Sequence, residues 1–533
     1  MNRSLPIALV LRGPSLKAKI SPGLSCNVEY LDLGDRPVGV PVNIEVYIHN
    51  LGATRIRGNK LNISFDRNFF ALDYLELEAF ALESSELLQK PLTIIPRKLT
   101  DRQKRITFTL TNDNLNHSNR IRRDLKVRSI FDPTKSPLKG AVLGKWKYSS
   151  QTAFVWRGDA DWCIPASRQT AKRNKHGLEH SIALMRRYHI PSTLAISGRL
   201  GLCQSEWLQY VKHYNYPYEE SEIDLFIRKL NSSFSFHYQL EYPSITDNRT
   251  AIELANHMYL HYYNEFSACA DNNWLEGATP NQFRYPWERS NPKTSLSEQR
   301  DNCTRNQELV KSILNFEPKS YASPYNGSDP YTANAIEEAG ISASSAATSG
   351  YQSPDQYPWW HHMPVVPQVS QAIGISRSFR DPFHPSGCEH LVECGYVEGD
   401  PLRVTDYLRL MLILRAALNR GSHVVLLTHH QRLGVAEIRM YFERFIRNLV
   451  QHSASAVWVT SLFSLGDWWE RIRCPKHKSI SLDARSNENK IVVRNGSSRI
   501  DGVPIIASFE HGKTCAFVVD LDEMASTVKV AED

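Results

Sequence analysis

A regular alternation of strand-like and helix-like segments between residues 150 and 473 most constrains how this 533-residue chain can fold. Short apolar segments such as 153–156 (AFVW) and 423–427 (HVVLL) have the pattern of buried strands. Longer amphipathic segments such as 297–314 and 435–450 have the pattern of helices. Strands that alternate with helices of ten or more residues form βα units. We therefore predict an α/β domain with a mainly parallel sheet, open or closed into a barrel.

Both ends of the chain have the pattern of β-structure instead. Residues 40–50 and 105–111 alternate apolar and polar side chains, and turn-forming sequences separate such segments, which is typical of a β-sandwich. After Pro475 the sequence returns to short strands. The predicted organisation is an N-terminal β-sandwich domain over residues 1–148, an α/β domain over 149–474 and a small C-terminal β-rich domain over 475–533. A stabilising role is expected for the first of these, with carbohydrate recognition as the alternative.

Composition excludes several classes of protein. The chain is 41% hydrophobic and 22% charged, which is ordinary globular material. Its net charge of +7 is mild for this length, and the basic runs 119–128 and 168–175 contain no aromatic residue, so no nucleic-acid partner is expected. The nine cysteines form no CxxC pair, so neither a cysteine-rich zinc knuckle nor a disulfide framework is expected, and their odd number fits a reducing compartment. The apolar run 7–11 is too short for a secretory signal or a membrane span, so we expect a cytoplasmic protein.

Two carboxylates follow the first strand of the α/β region, in the sequence Arg157-Gly-Asp159-Ala-Asp161. Residues two apart on a strand point to the same side, and folds of this class place their sites at the carboxyl ends of the strands. One carboxylate could bind a metal while the other stays free as a base. A turn or a helix N-cap explains an isolated DxD equally well.

Two histidines stand four residues apart in the sequence NHMYLH at 256–261. In a helical turn His257 and His261 would lie one above the other, so both imidazoles could reach one cation. Zinc accepts such nitrogen ligands at about 2.0–2.1 Å. The alternative is that both are ordinary polar residues of an amphipathic turn.

A histidine pair and a turn complete the set of motifs. The strand 422–428 ends in His429-His430, and an imidazole can act as a general acid or base at neutral pH. The strand 320–323 enters the turn Pro324-Tyr325-Asn326-Gly327, for which a plain β-turn is a sufficient explanation.

The order of these motifs resembles that of the polysaccharide deacetylase family, also known as the NodB-homology domain or carbohydrate esterase family 4. The matching pieces are DxD, NHxYxH, Ser-Pro-Tyr-Asn-Gly and a late LLTHH, and the resemblance covers roughly residues 150–473. The DxD spacing is that of a divergent branch. The resemblance implies a distorted (β/α) barrel of the NodB-homology type, which hydrolyses an N- or O-linked acetyl group on a carbohydrate or polysaccharide. Partner proteins of a polysaccharide-producing system are a further expectation from it.

The resemblance also implies roles for individual residues. The implied ligands of a divalent metal, with zinc as the expected ion, are Asp161, His257 and His261. Asp159 would be the general base and His429 the general acid, although His430 could exchange places with His429.

Substrate contacts are expected from loops. A backbone N–H near Tyr325 would hold the oxyanion of the tetrahedral intermediate, and Arg284 and Trp287 lie in a loop expected to cover the site. Loop tryptophans suit stacking on sugar rings, but packing over the rim of the barrel explains them as well.

The sequence departs from the family at two points. The family's third motif normally contains an arginine that orients the base, and Ala322 stands at that place. Arg284 is a candidate substitute from a loop. The acidic residue that should orient the general-acid histidine has no clear match, with Asp381 and Asp406 as candidates.

Three alternatives stay open at this point. His237 and Glu241 are also four residues apart and compete with His257 and His261 as the second motif. The chain could be a non-catalytic carbohydrate-binding or biosynthetic scaffold that keeps the deacetylase fold. It could also be a metal-dependent amidase on a non-sugar substrate, because a fold does not determine its chemistry.

Overall fold

The structure is a computed structural model. It describes residues 6–73, 77–112, 120–159, 168–196, 252–258, 296–314, 317–323, 332–345, 381–385, 387–399, 406–474, 480–496, 498–522 and 525–529.

The N-terminal part consists of strands, in agreement with its alternating pattern. They are β1 (Ile7–Arg12), β2 (Lys17–Ile20), β3 (Val28–Asp32), β4 (Arg36–Pro37), β5 (Val42–Asn50), β6 (Ile56–Ser64), β7 (Phe70–Asp73), β8 (Leu77–Leu82), β9 (Leu87–Pro96), β10 (Lys104–Asn112), β11 (Ile121–Val127), β12 (Ile130–Phe131) and β13 (Leu138–Leu143). One sheet has the order β1-β5-β9-β7 and a second has the order β2-β3-β11-β10-β6-β8. Ile44 of β5 and Phe108 of β10 belong to one hydrophobic core, to which both sheets contribute.

The central part is a curled parallel sheet with helices around it. Its strands are β14 (Thr152–Asp159), β15 (Ser192–Ile196), β16 (Ile252–Asn256), β17 (Ser320–Ala322), β18 (Ala343–Ser345), β19 (Val392–Glu393), β20 (Val397–Glu398), β21 (His423–His429) and β22 (Val457–Thr460). Its helices are α1 (Arg168–Arg187), α2 (Leu296–Leu314), α3 (Thr332–Glu338), α4 (Asp406–Arg420), α5 (His430–Leu433), α6 (Ala436–Asn448) and α7 (Leu462–Ile472). The strand order is β19-β18-β17-β16-β15-β14-β21-β20, and β22 pairs with the first half of β14.

The predicted alternation is confirmed within the described residues. The apolar segments at 153–156 and 423–427 form β14 and β21, and the amphipathic segments at 297–314 and 435–450 form α2 and α6. Every pairing in the central sheet is parallel. None of the helices described is long and apolar enough to cross a membrane.

Strand β14 is buried on both faces, and its alternation separates two environments. Phe154 and Trp156 point to the helix side, where their rings lie 5.9 Å from Phe445 and 4.9 Å from Phe442 of α6. The residues between them point to the opposite face, because successive side chains of a strand alternate. That opposite face carries Arg157 and Asp159, so the strand delivers its polar end to the concave side of the curled sheet.

The C-terminal part adds two small sheets, and one of them includes a strand from the N-terminal part. Its strands are β23 (Ile480–Arg485), β24 (Lys490–Asn495), β25 (Ile500–Phe509), β26 (Thr514–Leu521) and β27 (Ala525–Lys529). Strand β13 pairs with β25 although the predicted domains place the two in the first and third domains. The fully buried Arg36 strengthens this link, because it donates to the carbonyl oxygens of Ala516 at 2.6 Å and Pro14 at 2.7 Å. The predicted boundaries stay a prediction.

The N-terminal sheets also pack directly on the central part. Arg12 donates to the carbonyl oxygen of Val457 at 2.6 Å, and the Leu11 amide donates to Ser455 Oγ at 3.0 Å. Residues of β1, α4 and α6 belong to one hydrophobic core. The β-rich end is therefore part of the support of the central sheet.

His423, at the start of β21, gives the fold a testable dependence on pH. Burial lowers the pKa of His423 from 6.5 to about 4. The unfolded chain therefore binds a proton at His423 more readily than the folded chain does. The stability that comes from keeping His423 neutral is fully present above pH 6.5 and is lost as the pH falls from 6.5 to about 4. We expect His423 to account for about 3 kcal/mol of the fall in unfolding free energy between pH 7 and pH 4.

The measurement is urea unfolding at both pH values for the wild type and for His423→Gln, which cannot take up the proton. The variant should lose less stability on acidification by that amount. An identical loss in the two proteins would contradict the assignment.

Candidate active site

The centre of the site is an ion pair within strand β14. Arg157 Nε donates to Asp159 Oδ1 at 2.8 Å, and Arg157 Nη2 donates to Asp159 Oδ2 at 2.6 Å. The side chain of Arg157 is fully buried and that of Asp159 is 4% exposed. Because the guanidinium engages both oxygens at once, it fixes the orientation of the carboxylate as well as its position.

The Arg157 guanidinium extends across the concave face to the ends of β17 and β18. Its Nη1 donates to the Ser345 carbonyl oxygen at 2.6 Å and to Ser345 Oγ at 2.9 Å, and its Nη2 lies 3.5 Å from the Ser323 carbonyl oxygen. Ser345 is the register partner of Ala322. The guanidinium therefore lies beside the place where the family resemblance calls for an arginine.

Small side chains provide the room for this arrangement. Ala195, Ala255 and Ala322 form a buried cluster on neighbouring strands. An arginine at position 322 would compete with Arg157 for the same space. Arg157 thus holds a candidate site residue, Asp159, although no motif in the sequence pointed to Arg157, and its spacing of two from Asp159 on a strand was a signal for a shared face. Arg284, the substitute expected from the sequence, lies outside the described residues.

Asp159 and His429 end neighbouring parallel strands. They are register partners in the pairing of β14 with β21, and adjacent strands lie about 4.8 Å apart. Paired residues of neighbouring strands point to the same face, so both side chains belong to the concave side. Asp159 is buried and His429 is partly exposed. The structure thus brings together the residues expected to be base and acid.

His430 points to the other face of the sheet. Its Nδ1 lies 2.6 Å from Ser181 Oγ of α1, and the residue is 2% exposed. A Cβ atom at Gly158 would come within 2.3 Å of the His430 ring, and one at Gly177 of α1 would come within 1.9 Å of its carbonyl oxygen. Both glycines are therefore needed for this close packing. His430 packs against α1, whereas His429 lies on the concave face.

His257 follows β16 and is held by the neighbouring strand. Its Nδ1 lies 2.8 Å from the Ala322 carbonyl oxygen, and the residue is 1% exposed. A carbonyl accepts only from a protonated nitrogen, so this contact assigns a hydrogen to Nδ1 and leaves Nε2 as the ring nitrogen that could bind a metal. Histidines that bind metals are usually oriented through the other ring nitrogen in this way. His257 therefore fits the role of a metal ligand.

A buried asparagine turns the chain at His257. Asn256 Oδ1 accepts from the Met258 amide at 2.8 Å and from Asn306 Nδ2 at 2.9 Å, and Asn256 Nδ2 donates to the Cys303 carbonyl oxygen at 2.8 Å. Met258 has a φ of 62°, in the left-handed region. The expected helical turn therefore does not begin at His257, because the Asn256 side chain stabilises a different turn there.

Several expected site residues lie outside the part of the chain that the structure describes: Asp161, His261, Tyr325, Arg284, Trp287, His237 and Glu241. The two candidates for orienting His429 are described and have other ionic neighbours. Asp381 pairs with Lys145, and Asp406 lies 4.0 Å from Arg409 within the first turn of α4. The orienting acid stays without an assigned residue.

A second buried carboxylate lies one step below the site. Glu253 of β16 accepts hydrogen bonds from Thr193 Oγ1 at 3.1 Å and from the Phe463 amide at 2.9 Å, and it also contacts Ser320 Oγ. Burial raises the pKa of Glu253 above its ordinary value, although these donors oppose that effect. Thr193 is the register partner of Arg157, so this polar cluster forms the floor beneath the ion pair.

No protein-family model matches the sequence, and no curated protein matches it. Among solved structures, the chain is similar to a proposed polysaccharide deacetylase from Mycobacterium smegmatis, with 15% identity and a TM-score of 0.36 over 64% of this chain and 96% of that chain. A probable polysaccharide deacetylase from Pseudomonas aeruginosa has 12% identity and a TM-score of 0.34, over 61% of this chain and 92% of that chain.

A mutant of a carbohydrate esterase family 4 pseudoenzyme is also similar, with 10% identity and a TM-score of 0.29 over 68% of this chain and 86% of that chain. Because all of these TM-scores are low, no residue role is taken from these structures.

The division of the histidine doublet leads to a prediction about stability. His430→Ala removes the hydrogen bond to Ser181 and leaves a cavity against α1, so we expect the unfolding free energy to fall by about 2–4 kcal/mol. His429→Ala changes a partly exposed side chain, for which we expect a change below about 1 kcal/mol. Urea unfolding of both variants at neutral pH makes the comparison. Equal destabilisation by the two substitutions would contradict the placement of His430.

Proposed function

We propose that this protein is a metal-dependent hydrolase that removes an N- or O-linked acetyl group from a carbohydrate or polysaccharide. The observation that carries the proposal is the Asp159 carboxylate, held by Arg157 and placed in register with His429 at the carboxyl end of two parallel strands. A base and an acid on one face of such a sheet edge are what acyl hydrolysis requires.

Stability alone is a poor explanation for the buried ion pair of Arg157 and Asp159. Taking two charges out of water costs free energy that their attraction only partly returns. A protein with well-packed apolar residues at such a place is therefore often as stable or more stable. The guanidinium of Arg157 also donates hydrogen bonds to Ser345, and these contacts add nothing to the hydrophobic core. We infer that the pair is kept because it orients Asp159.

A divalent metal, with zinc as the expected ion, completes the proposal. His257 would hold it through Nε2, together with Asp161 and His261. When bound, such an ion polarises an acyl carbonyl and lowers the pKa of water. The contact of His257 with the Ala322 carbonyl oxygen supports this role, since it orients the ring before any ion binds.

The chain's own residues would then move the protons. Asp159 accepts a proton from the attacking water, and its fixed carboxylate directs that transfer. His429, partly exposed at the end of β21, gives a proton to the leaving amine or alkoxide. A backbone N–H near Tyr325 would stabilise the developing oxyanion, and Arg284 and Trp287 would contact the sugar.

Arg157 is in this scheme a positioning residue that takes the part of the arginine missing at Ala322. In this scheme the guanidinium of Arg157 would do from β14 what the family's arginine does from β17. The alanine at 322 and the arginine at 157 are therefore a matched pair, and exchanging them tests the scheme.

The test compares four variants with the wild type. Arg157→Ala leaves Asp159 buried without its partner, so we expect a loss of about 3–5 kcal/mol in stability and of about a hundredfold in acetate release. Adding Ala322→Arg to that variant returns a guanidinium to the same space, so the double variant should release acetate at least about ten times faster than Arg157→Ala alone. Ala322→Arg alone overpacks the site and should cost about 1–3 kcal/mol. Arg157→Lys, which lacks the two-pronged contact, should fall between wild type and Arg157→Ala.

Acetate release and thermal unfolding are measured on the same samples. Recovery of stability in the double variant without recovery of the rate would assign Arg157 a purely structural role.

The metal and the chemistry are tested together. Purified wild type is compared with His257→Ala/His261→Ala for bound zinc per chain and for acetate release from acetylated amino-sugars. We expect the double variant to lose one zinc per chain and the activity, while His511→Ala, an exposed histidine in the C-terminal part, keeps both.

Unchanged zinc content in the double variant would contradict the proposed ligands and direct attention to His237 and Glu241. Loss of zinc with no acetate release by the wild type would favour the scaffold, or an amidase with another substrate.

A further inference from the structure

A second group of metal-binding side chains lies away from the residues proposed for catalysis. His384, Glu470 and Cys474 each offer one ligand atom, and these atoms all lie within 4.8 Å of one another. Glu470 is in the last turns of α7 and Cys474 lies just after its end, whereas His384 comes from the segment that precedes β19. Ligands that are far apart in sequence therefore meet at one place.

The distances are close to those of a tetrahedral zinc site. Zinc binds nitrogen at about 2.0–2.1 Å and sulfur at about 2.3 Å, which places its ligand atoms roughly 3.3–3.8 Å from each other. His384 Nε2 lies 2.9 Å from Glu470 Oε2. Side-chain rotations that move these atoms by several tenths of an ångström to about 1 Å would place all three around one ion.

The Glu470 carboxylate points to an ion at this place. Both of its oxygens are buried, and neither accepts a hydrogen bond from the residues that the structure describes. The short approach of His384 thus lacks hydrogen-bond geometry, as expected when two ligand atoms face a common point and not each other. A cation between them would compensate the burial of this charge.

A further histidine lies beside the group. His390 Nδ1 lies 3.9 Å from Glu470 Oε1, and its side chain is 66% exposed, so it can turn toward the group. The loop that carries it is fixed in advance, because Glu337 Oε1 accepts from the amides of Glu389, His390 and Leu391 at 2.9, 2.5 and 2.9 Å. Phe383 and Glu393 also exchange two backbone hydrogen bonds and close the loop at its base.

We propose that His384, Glu470 and Cys474, with His390 as the fourth ligand, form a structural zinc site. The mixture of imidazole, carboxylate and thiolate suits zinc and excludes calcium and magnesium, which prefer oxygen ligands. The site would fasten His384 and His390 to the end of α7. It is independent of the proposed deacetylase centre, whose ligands include no cysteine.

The cysteine makes the site visible by spectroscopy. The full chain is stripped with a chelator and reconstituted with cobalt(II), and we expect the near-ultraviolet absorption band of a thiolate bound to cobalt. Cys474→Ser should abolish the band. Cys388→Ser, which changes a buried cysteine between His384 and His390, should keep it, and so should the His257→Ala/His261→Ala protein.

Zinc retention against a competing chelator provides a second measurement. His384→Ala changes a partly exposed residue and should weaken retention at this site about tenfold or more, so the proposal does not depend on how well Cys474→Ser folds. Absence of the band in the wild type, its survival in Cys474→Ser, or wild-type zinc retention in His384→Ala would each overturn the proposal. Loss of acetate release with the band intact would concern the deacetylase centre alone.

Discussion

The buried ion pair of Arg157 and Asp159 is the constraint around which the concave side of the central sheet is arranged. A fully buried guanidinium must satisfy its donors within the protein, and it does so on Asp159 and on Ser345. Its length demands small neighbours, which Ala195, Ala255 and Ala322 supply. An unusual residue at one strand end therefore accounts for the small residues at several others.

The polar interior continues below this pair. Glu253 gathers donors from Thr193, Ser320 and the start of α7, so four elements meet at one carboxylate. Polar clusters of this kind are costly unless every group finds a partner, and when satisfied they favour one arrangement over its competitors. Such a floor suits the proposed site, in which Asp159 would have to be held in one orientation.

Local sequence patterns predicted the elements well, because periodicity records which face of each segment is buried. The apolar runs became β14 and β21, and the amphipathic segment at 297–314 became α2 almost to the residue. The partner of β13 could not be predicted in this way, since its pairing with β25 joins distant parts of the chain. The placement of His430 on the opposite face from His429 depends on its close packing against Gly158 and Gly177. Such contacts between distant residues leave no local pattern in the sequence. The same limit hid Arg157, whose guanidinium acts at the ends of β17 and β18.

The pairing of β13 with β25 has a consequence for how the chain is made. Strand β13 ends at residue 143 and its partner begins at residue 500. At synthesis rates of about 5–20 residues per second, roughly 20–70 s pass before that partner leaves the ribosome. During this interval β13 presents an open strand edge, and Arg36 lacks the Ala516 carbonyl that it binds in the finished fold. Strand β13 therefore stays unpaired until residues 500–509 have been synthesised, and a nascent chain that stalls before residue 500 exposes a strand edge to which chaperones or other copies of the chain can bind.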